Sequence, residues 1–416
     1  MKKAALSVKS IYVILLIYTL AFWFSKELAK PAISIALADG DSSSSTIGFL
    51  LSMQNFLPLV LAVPMATMGD KFGHEKVLHL GSVLSVISGV CFLFTGAVEI
   101  VSAAYPALLT IGQIFSGIAW TVAWISLQAL ISDCDTVDKE NEGQGKGVSR
   151  MILIMSIGMI LGPLLAGEMI DLLGIYSVWI LNMLLGLVQM GLSFMLLGGC
   201  RSLSFEQGKS GALLNGQEEK QNLLHQLGGG IYLVMVSFSF LMMFGSEIKG
   251  SYMSVILRGA GMESRMIGYI AAAGSLATCL IRIVMNLKPA AKIPGRVLIF
   301  SSMIFLIFAM AGFAFLPVGN LYLLPSVLIG LCGGLIEPVL IVYILEYALP
   351  ERKGLALTGR VLFNRLAMFL APSAAGLAVG SFGIKGGFEI ITVMISMISF
   401  ITIYGMTICF RRRKRL

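Results

Sequence analysis

Long apolar stretches recur along the whole chain and constrain its fold more than any other feature of the sequence. A helix needs roughly 20 residues to cross the hydrocarbon core of a membrane, which is about 30 Å thick. The stretches reach this length without alternating between polar and apolar residues, which excludes a closed β-barrel. The sequence therefore predicts an all-α membrane protein with twelve transmembrane helices, at residues 11–37, 46–68, 77–98, 105–132, 149–171, 177–199, 229–257, 265–287, 297–316, 322–348, 359–380 and 388–410.

The composition supports lipid as the surrounding solvent. Hydrophobic residues make up 57% of the chain and charged residues only 12%, whereas a soluble protein averages about 25% charged residues. The six cysteines are scattered without a CxxC motif, and the three histidines lack the spacing of metal ligands. We therefore expect packing cysteines, no metal site and no cofactor.

A polar connection divides the apolar stretches into two groups of six. This predicts two pseudo-symmetric six-helix bundles, at residues 1–200 and 229–416, joined by a cytoplasmic linker at residues 201–228. The first parts of the two halves repeat each other at an offset of 220 residues, which indicates an internal duplication. The residues that recur in this way are Phe24, Glu27, Ser34 and Leu37, matched by Phe244, Glu247, Ser254 and Leu257. Farther along the chain the offset drifts, and GPLLAG at residues 162–167 faces APSAAG at residues 371–376.

Lysine and arginine are distributed unevenly between the connections, and this predicts the orientation of the chain. With the N-terminus inside, the cytoplasmic segments hold 22 of them, Arg360 included, and the outer loops hold 3. The net charge of +8 then follows from topology and from attraction to anionic lipids, so no nucleic-acid partner is expected. The absence of an Asn-x-Ser/Thr sequon favours a bacterial source. We expect an integral protein of the bacterial plasma (inner) membrane with both termini in the cytoplasm.

The loop between the second and third predicted spans carries a specific motif, ATMGDKFGHEKVL at residues 66–78. Together with the arrangement of six plus six spans, it resembles the major facilitator superfamily (MFS), whose pattern is Gly-x-x-x-Asp-Arg/Lys-x-Gly-Arg/Lys-Arg/Lys. The resemblance implies the MFS fold and a gating loop, in which Asp70 lies against the start of span 11 with Lys71 and Gly73 in support. The loop departs from the pattern at Ala66, His74 and Glu75.

The fifth predicted span reads SIGMILGPLLAGEMID and carries four small or helix-bending residues, Gly158, Gly162, Pro163 and Gly167. Small residues four apart let two helices approach closely, and proline bends a helix. Similar patterns occur in the exporting branches of the superfamily, so the resemblance favours efflux, with ordinary helix packing as the alternative. In span 4, Gln113 is the polar residue ahead of Gly117, where drug/proton antiporters carry an arginine.

Eight charges lie well inside predicted spans, where each costs roughly 2.5–3.5 kcal/mol or more unless it is compensated. They are Lys26, Glu27, Lys30, Glu247, Lys249, Arg282, Glu337 and Arg365. We predict that they form a substrate or proton site, with structural ion pairs as the alternative for any one of them. Other candidates for the cavity lining are Trp23, Gln113, Trp120, Trp124 and Asn364, and for the tryptophans core packing is the competing interpretation.

The surplus of five cations over three carboxylates predicts an anionic or zwitterionic solute, and the carboxylates could carry protons. We therefore expect a proton-coupled secondary transporter, an antiporter that exports a small organic solute by alternating access. The alternatives are a lipid or amphiphile flippase on the same scaffold and a non-transporting membrane sensor. The sequence offers no nucleophile–base pair and no phosphate-binding loop, so we do not expect an enzyme. The expected partners are the solute, protons and membrane lipids, and the expected state is a monomer.

Overall fold

The structure is a computed structural model of the 416-residue chain. It describes residues 7–40, 42–100, 102–137, 146–199, 227, 229–285, 287, 293–349 and 352–413. Regular structure within these residues is entirely helical. The helices are α1 (Val8–Ala38), α2 (Ser44–Phe72), α3 (His74–Phe94), α4 (Ala104–Val137), α5 (Lys146–Leu173), α6 (Ile175–Gly199), α7 (Gly229–Glu247), α8 (Met253–Gly259), α9 (Ser264–Met285), α10 (Gly295–Phe315), α11 (Leu323–Tyr347) and α12 (Lys353–Arg413).

Two irregularities relate these helices to the twelve predicted spans. A π-helical turn at Ile248–Tyr252 joins α7 to α8, so that Gly229–Gly259 forms one span. Helix α12 has 61 residues and is broken at Gly383, whose φ of 71° and ψ of 174° are not helical. Its two arms, residues 353–382 and 384–413, are each long enough to cross a membrane. The predicted fold class, an all-α protein with twelve transmembrane helices, is therefore confirmed.

The described residues fall into two compact units. Unit 1 comprises Met1–Ala36 and Met53–Gln217, and unit 2 comprises Leu37–Ser52 and Glu218–Leu416. The sequence does not indicate that the end of α1 and the first turns of α2 group with the second half of the chain. The predicted linker at residues 201–228 lies outside the described residues, apart from residue 227.

Polar and backbone contacts attach residues 37–52 to the rest of unit 2. A Cβ added at Gly48 would lie 2.9 Å from the Cα of Gly376, so the two helices touch there through their backbones. The hydroxyls of Ser52 and Ser373 are 2.8 Å apart, and the Ser373 amide donates to the Ser52 hydroxyl at 3.1 Å. These contacts explain why a segment that precedes Met53 groups with the second unit.

Candidate functional site

The candidate residues of unit 1 meet where α1 packs against α4. The Nζ of Lys26 lies 3.6 Å from the centroid of the Trp120 ring, and the rings of Trp23 and Trp124 are 5.5 Å apart. A lysine ammonium over an indole face is attracted by the ring quadrupole, by about 0.5–2 kcal/mol depending on its desolvation. Four of the sequence-predicted residues therefore form one aromatic and cationic cluster.

Helix α5 approaches the same part of α1 through its glycines. A Cβ on Gly162 would lie 2.8 Å from the Cβ of Glu27, and one on Gly158 would lie 2.8 Å from the amide nitrogen of Phe24. Contacts this short leave no room for a larger side chain, so glycine is needed at both positions. Pro163 and Gly167 continue the buried side of α5.

Glu27 and Lys30 are half-buried on the following turns of α1. Pro31 comes next and lies inside the helix, which continues to Ala38. Proline has no amide hydrogen, so the carbonyl of Glu27 cannot receive the usual helical bond from four residues ahead.

Helix α6 holds α1 in place through two amide side chains that the sequence analysis did not single out. Asn182 donates from Nδ2 to the carbonyl oxygen of Ser25 at 3.0 Å and to its hydroxyl at 2.9 Å. Gln189 donates from Nε2 to the carbonyl oxygen of Ala21 at 3.3 Å. The signal that could have found them is an amide in an otherwise apolar span, because a buried amide requires a partner.

Gln113 lies on α4, one turn before Gly117, and is 1% exposed. Its Nε2 atom has no hydrogen-bond partner among the described residues. A Cβ on Gly117 would collide with the carbonyl oxygen of Gln54 on α2, so this part of α4 is closely packed. Gln113 is thus a buried polar group inside unit 1.

The deeper charges of unit 2 lie where α7 packs against α12. Glu247 is 3% exposed and Arg365 is 4% exposed, and the two interact electrostatically. Next to Arg365, the Oδ1 of Asn364 accepts a hydrogen bond of 2.7 Å from the hydroxyl of Ser239. Burying opposite charges together avoids much of the cost of placing either of them alone in an apolar interior.

The backbone changes geometry at Glu247. This residue ends α7, the π-helical turn follows, and the hydroxyl of Ser251 donates to the Glu247 carbonyl oxygen at 2.7 Å. Lys249 lies within the turn, with its Nζ 2.8 Å from the position of a Cβ on Gly274 in α9. The absence of a side chain at Gly274 therefore provides the space that Lys249 occupies.

A second group of charged residues lies nearer the end of unit 2 at which α9 and α11 end and α12 begins. Arg282 on α9 and Glu337 on α11 form an ion pair, with 2.5 Å between Nη2 and Oε2, and their side chains are 23% and 29% exposed. The two helices are brought together by polar contacts, including a 2.9 Å hydrogen bond from the Thr278 hydroxyl to the Gly330 carbonyl oxygen.

Arg360 belongs to this group, although the sequence analysis assigned it to a cytoplasmic connection. Helix α12 begins at Lys353, so Arg360 lies two turns inside it and is only 8% exposed. It interacts electrostatically with Glu337. The predicted span at residues 359–380 begins one residue before Arg360, whereas the helix begins at Lys353. Arg360 and Asn364 are four residues apart and share a helix face.

The predicted gating loop is a tight turn in unit 1. Helix α2 ends at Phe72, Gly73 adopts a φ of 98°, and α3 begins at His74. A positive φ favours glycine, which explains this residue at the turn. Asp70 is 80% exposed, with 3.5 Å between its Oδ1 and the Nε2 of His74, and Lys71 lies 5.4 Å from the ring centroid of Phe72.

Comparison with known proteins points to a transporter family. A sequence model of the Major Facilitator Superfamily matches residues 15–324. A comparison with curated proteins finds no match. The structure resembles an auto-inhibited POT family peptide transporter, with a TM-score of 0.74, 14% identity and 97% of each chain covered.

Two further solved structures share the architecture. The D-xylose-proton symporter has a TM-score of 0.73 at 14% identity, with 95% of this chain and 97% of that chain covered. A point mutant of the nucleoside transporter NupG has a TM-score of 0.67 at 13% identity, with 96% of this chain and 99% of that chain covered. At these identities the likeness shows the fold, and the solutes of those proteins are not transferred to this chain.

Proposed function

The chain belongs to the major facilitator superfamily of secondary transporters, and from that premise we propose that it moves a small organic solute bearing an anionic or zwitterionic group. The observation that carries this proposal is the charge inside unit 2. Four cationic side chains there, Lys249, Arg282, Arg360 and Arg365, accompany two carboxylates, Glu247 and Glu337. A surplus of positive charge in a low-dielectric interior favours a negatively charged ligand.

Proton coupling is the second part of the proposal, and Glu247 is its main candidate. While Glu247 is ionised, it compensates Arg365 inside the unit. A zwitterionic solute could place its anionic group on Arg365 and its cationic group on the Glu247 carboxylate, which a proton would otherwise neutralise. The solute and the proton would then compete for Glu247, as proton antiport requires. Glu27 and Glu337 are the other carboxylates that could couple to protons.

Export is the direction we propose, with alternating access as the mechanism and proton antiport as the driving reaction. It is supported by the Gly–Pro pattern of α5, which resembles that of the exporting branches of the family. In this chain that pattern packs against α1 at Glu27, beside the Lys26 cluster. A larger side chain at the glycines of α5 would therefore displace α1 and the charged residues of unit 1 that it carries.

The test begins with a thermal-shift screen of the purified protein against organic anions, amino acids, sugars and drugs. Compounds that stabilise the protein are then assayed in proteoliposomes containing a pH-sensitive dye. We expect solute-dependent proton movement that is abolished in Glu247→Gln. Glu389→Gln is the matched control, because Glu389 is 42% exposed and lies beside Lys385.

Two results would count against the proposal in different ways. Unchanged pH-dependent transport in Glu27→Gln, Glu247→Gln and Glu337→Gln alike would refute proton coupling through these carboxylates. Binding of a solute without flux in either direction would favour the sensor alternative instead.

The flippase alternative requires an apolar groove beside a charged region. Unit 2 has a groove of about 470 Å³ between α10 and residues 384–413, lined by Phe300, Met303, Ile304, Ile307, Ser396, Met397, Ser399, Phe400 and Ile403. Its lining is apolar apart from two serines, so it suits an acyl chain without providing for a headgroup. Transport of a soluble solute is therefore the function we propose.

A further inference from the structure

We propose that Arg360 and Arg282 form a binding site for an oxoanion, a carboxylate or phosphate group, next to Glu337 in unit 2. This deepens the proposed function, because it assigns the anionic group of the solute to particular residues, and it rests on that function to this extent. The same chemistry is carried by anionic lipid headgroups, and the experiment below separates the two sources.

The hydrogen-bonding state of Arg360 is the first observation. Its side chain is 8% exposed, and its Nε and Nη1 atoms have no hydrogen-bond partner in the part of the chain that the structure describes. A guanidinium carries five N–H donors and remains charged at all physiological pH values. Leaving such donors buried and unsatisfied is costly, so the site calls for an acceptor.

The charge around Arg360 is the second observation. Glu337 is the carboxylate with which Arg360 interacts electrostatically, and Glu337 already forms the 2.5 Å ion pair with Arg282. Two guanidinium groups therefore share one carboxylate, which leaves a net positive charge in the cluster. A further oxoanion would balance this charge, and its oxygens match the fork of a guanidinium group.

The position of the cluster makes it reachable from one end of the unit. Arg282 lies three residues before the end of α9 at Met285, and Arg360 lies seven residues after the start of α12 at Lys353. Glu337 lies ten residues before the end of α11 at Tyr347. At a rise of 1.5 Å per residue these are depths of about 5, 10 and 15 Å. Arg282 and Glu337 are partly exposed, so the cluster reaches the surface of the unit, while Arg360 forms its buried wall.

Glu337 has a defined role in such a site. It holds Arg282 as a carboxylate ligand would, and so it competes with an incoming oxoanion for the guanidinium groups. Removing its charge should therefore strengthen anion binding, whereas a purely structural ion pair would give only a less stable protein. This opposite effect distinguishes a ligand site from an ordinary buried salt bridge.

The experiment uses the full chain in nanodiscs of neutral phosphatidylcholine, titrated calorimetrically with inorganic phosphate and with succinate. We expect both anions to bind the wild type, Arg360→Gln to bind at least about tenfold more weakly, and Glu337→Gln to bind more tightly. Arg360→Lys, which keeps the charge, should retain part of the affinity. Lys353→Gln is the matched control, since it removes an exposed cation from the same helix and should leave binding unchanged.

A second arm identifies the source of the oxoanion. Nanodiscs with one third phosphatidylglycerol should weaken phosphate binding to the wild type if a lipid headgroup occupies the site, and should leave it unchanged if the site serves a soluble solute. Either result supports the site and assigns its ligand.

Three outcomes would contradict this inference. Equal binding to the wild type and Arg360→Gln, or no binding to the wild type in either lipid, would refute the oxoanion site. Proton-coupled flux of an anionic solute that is unaffected in Arg360→Gln would refute its role in transport while leaving the proposed function standing. Arg360-dependent anion binding without any flux would refute the proposed transport function and leave the oxoanion site standing.

Discussion

Glu27 on α1 and Glu247 on α7 stand at equivalent places in the two repeats, yet the two units surround them differently. Glu27 is half-buried, and its Cβ faces the backbone of Gly162 on α5. Glu247 is almost completely buried and is compensated by Arg365. The duplicated carboxylate has therefore kept its position along the helix but not its partner.

The cations of the two units differ in the same way. In unit 1, Lys26 lies over the ring of Trp120, a neutral partner whose charge does not change with pH. In unit 2, Arg282 is paired with Glu337, a carboxylate that can gain a proton. The attraction of a cation to a neutral ring does not depend on protonation of the ring, whereas a carboxylate that gains a proton loses its attraction for the cation. We therefore expect pH to change the ion pair of unit 2, whereas the contact between Lys26 and Trp120 in unit 1 should not depend on pH.

The largest effect is expected when the arginine of the buried pair is removed, because this tests whether Arg365 compensates Glu247. Arg365→Leu leaves Glu247 charged in an apolar interior, and we expect a loss of about 3–5 kcal/mol in the free energy of unfolding. The double variant Arg365→Leu/Glu247→Leu should recover much of that loss. Thermal unfolding in detergent measures both, and equal stability of the wild type and Arg365→Leu would show that the pair is not the compensating interaction.

The packing of the two units can be compared at a second pair of positions. Gly162 in the GPLLAG segment corresponds to Ala371 in the APSAAG segment, so unit 2 accommodates a Cβ that unit 1 does not. We expect Gly162→Ala to destabilise unit 1 by about 1–3 kcal/mol, since the new Cβ would press on Glu27.

The control for this change is Gly191→Ala on α6, because a Cβ at Gly191 meets nothing within 4 Å. It should be neutral or slightly stabilising, because alanine favours a helix over glycine. The same melting temperature for both variants would argue against close packing of α5 on α1.

The smallest effect is expected from the contact between Lys26 and the Trp120 ring. Lys26→Met keeps the length of the side chain but removes its charge, and we expect a loss of about 0.5–2 kcal/mol through the interaction with Trp120. Lys26→Arg should behave like the wild type, since arginine also binds aromatic faces. Tryptophan fluorescence and thermal unfolding report the change, and indistinguishable spectra for Lys26→Met would contradict the contact.

The helices and the intramembrane charges could be predicted from sequence because both depend on local composition. An apolar run of about 20 residues must become a helix in lipid whatever its neighbours are. The partners of Glu27, Glu247 and Lys26 could not be predicted, because they depend on how each helix is rotated against the next one. The burial of Arg360 could not be predicted for a related reason: hydropathy drops near the end of a span, although the helix itself begins at Lys353.

The irregular backbone after the two equivalent glutamates has a mechanical consequence. In α1 the carbonyl of Glu27 lacks a donor four residues ahead because that position is Pro31. In α7 the carbonyl of Glu247 accepts the Ser251 hydroxyl, and the helix widens into its π turn. Kinks in helices arise at prolines and at π-bulges. A proline in one repeat and a π-helical turn in the other thus interrupt the regular helical hydrogen bonding at the same position. Each long helix can bend there without breaking a backbone hydrogen bond between residues four apart.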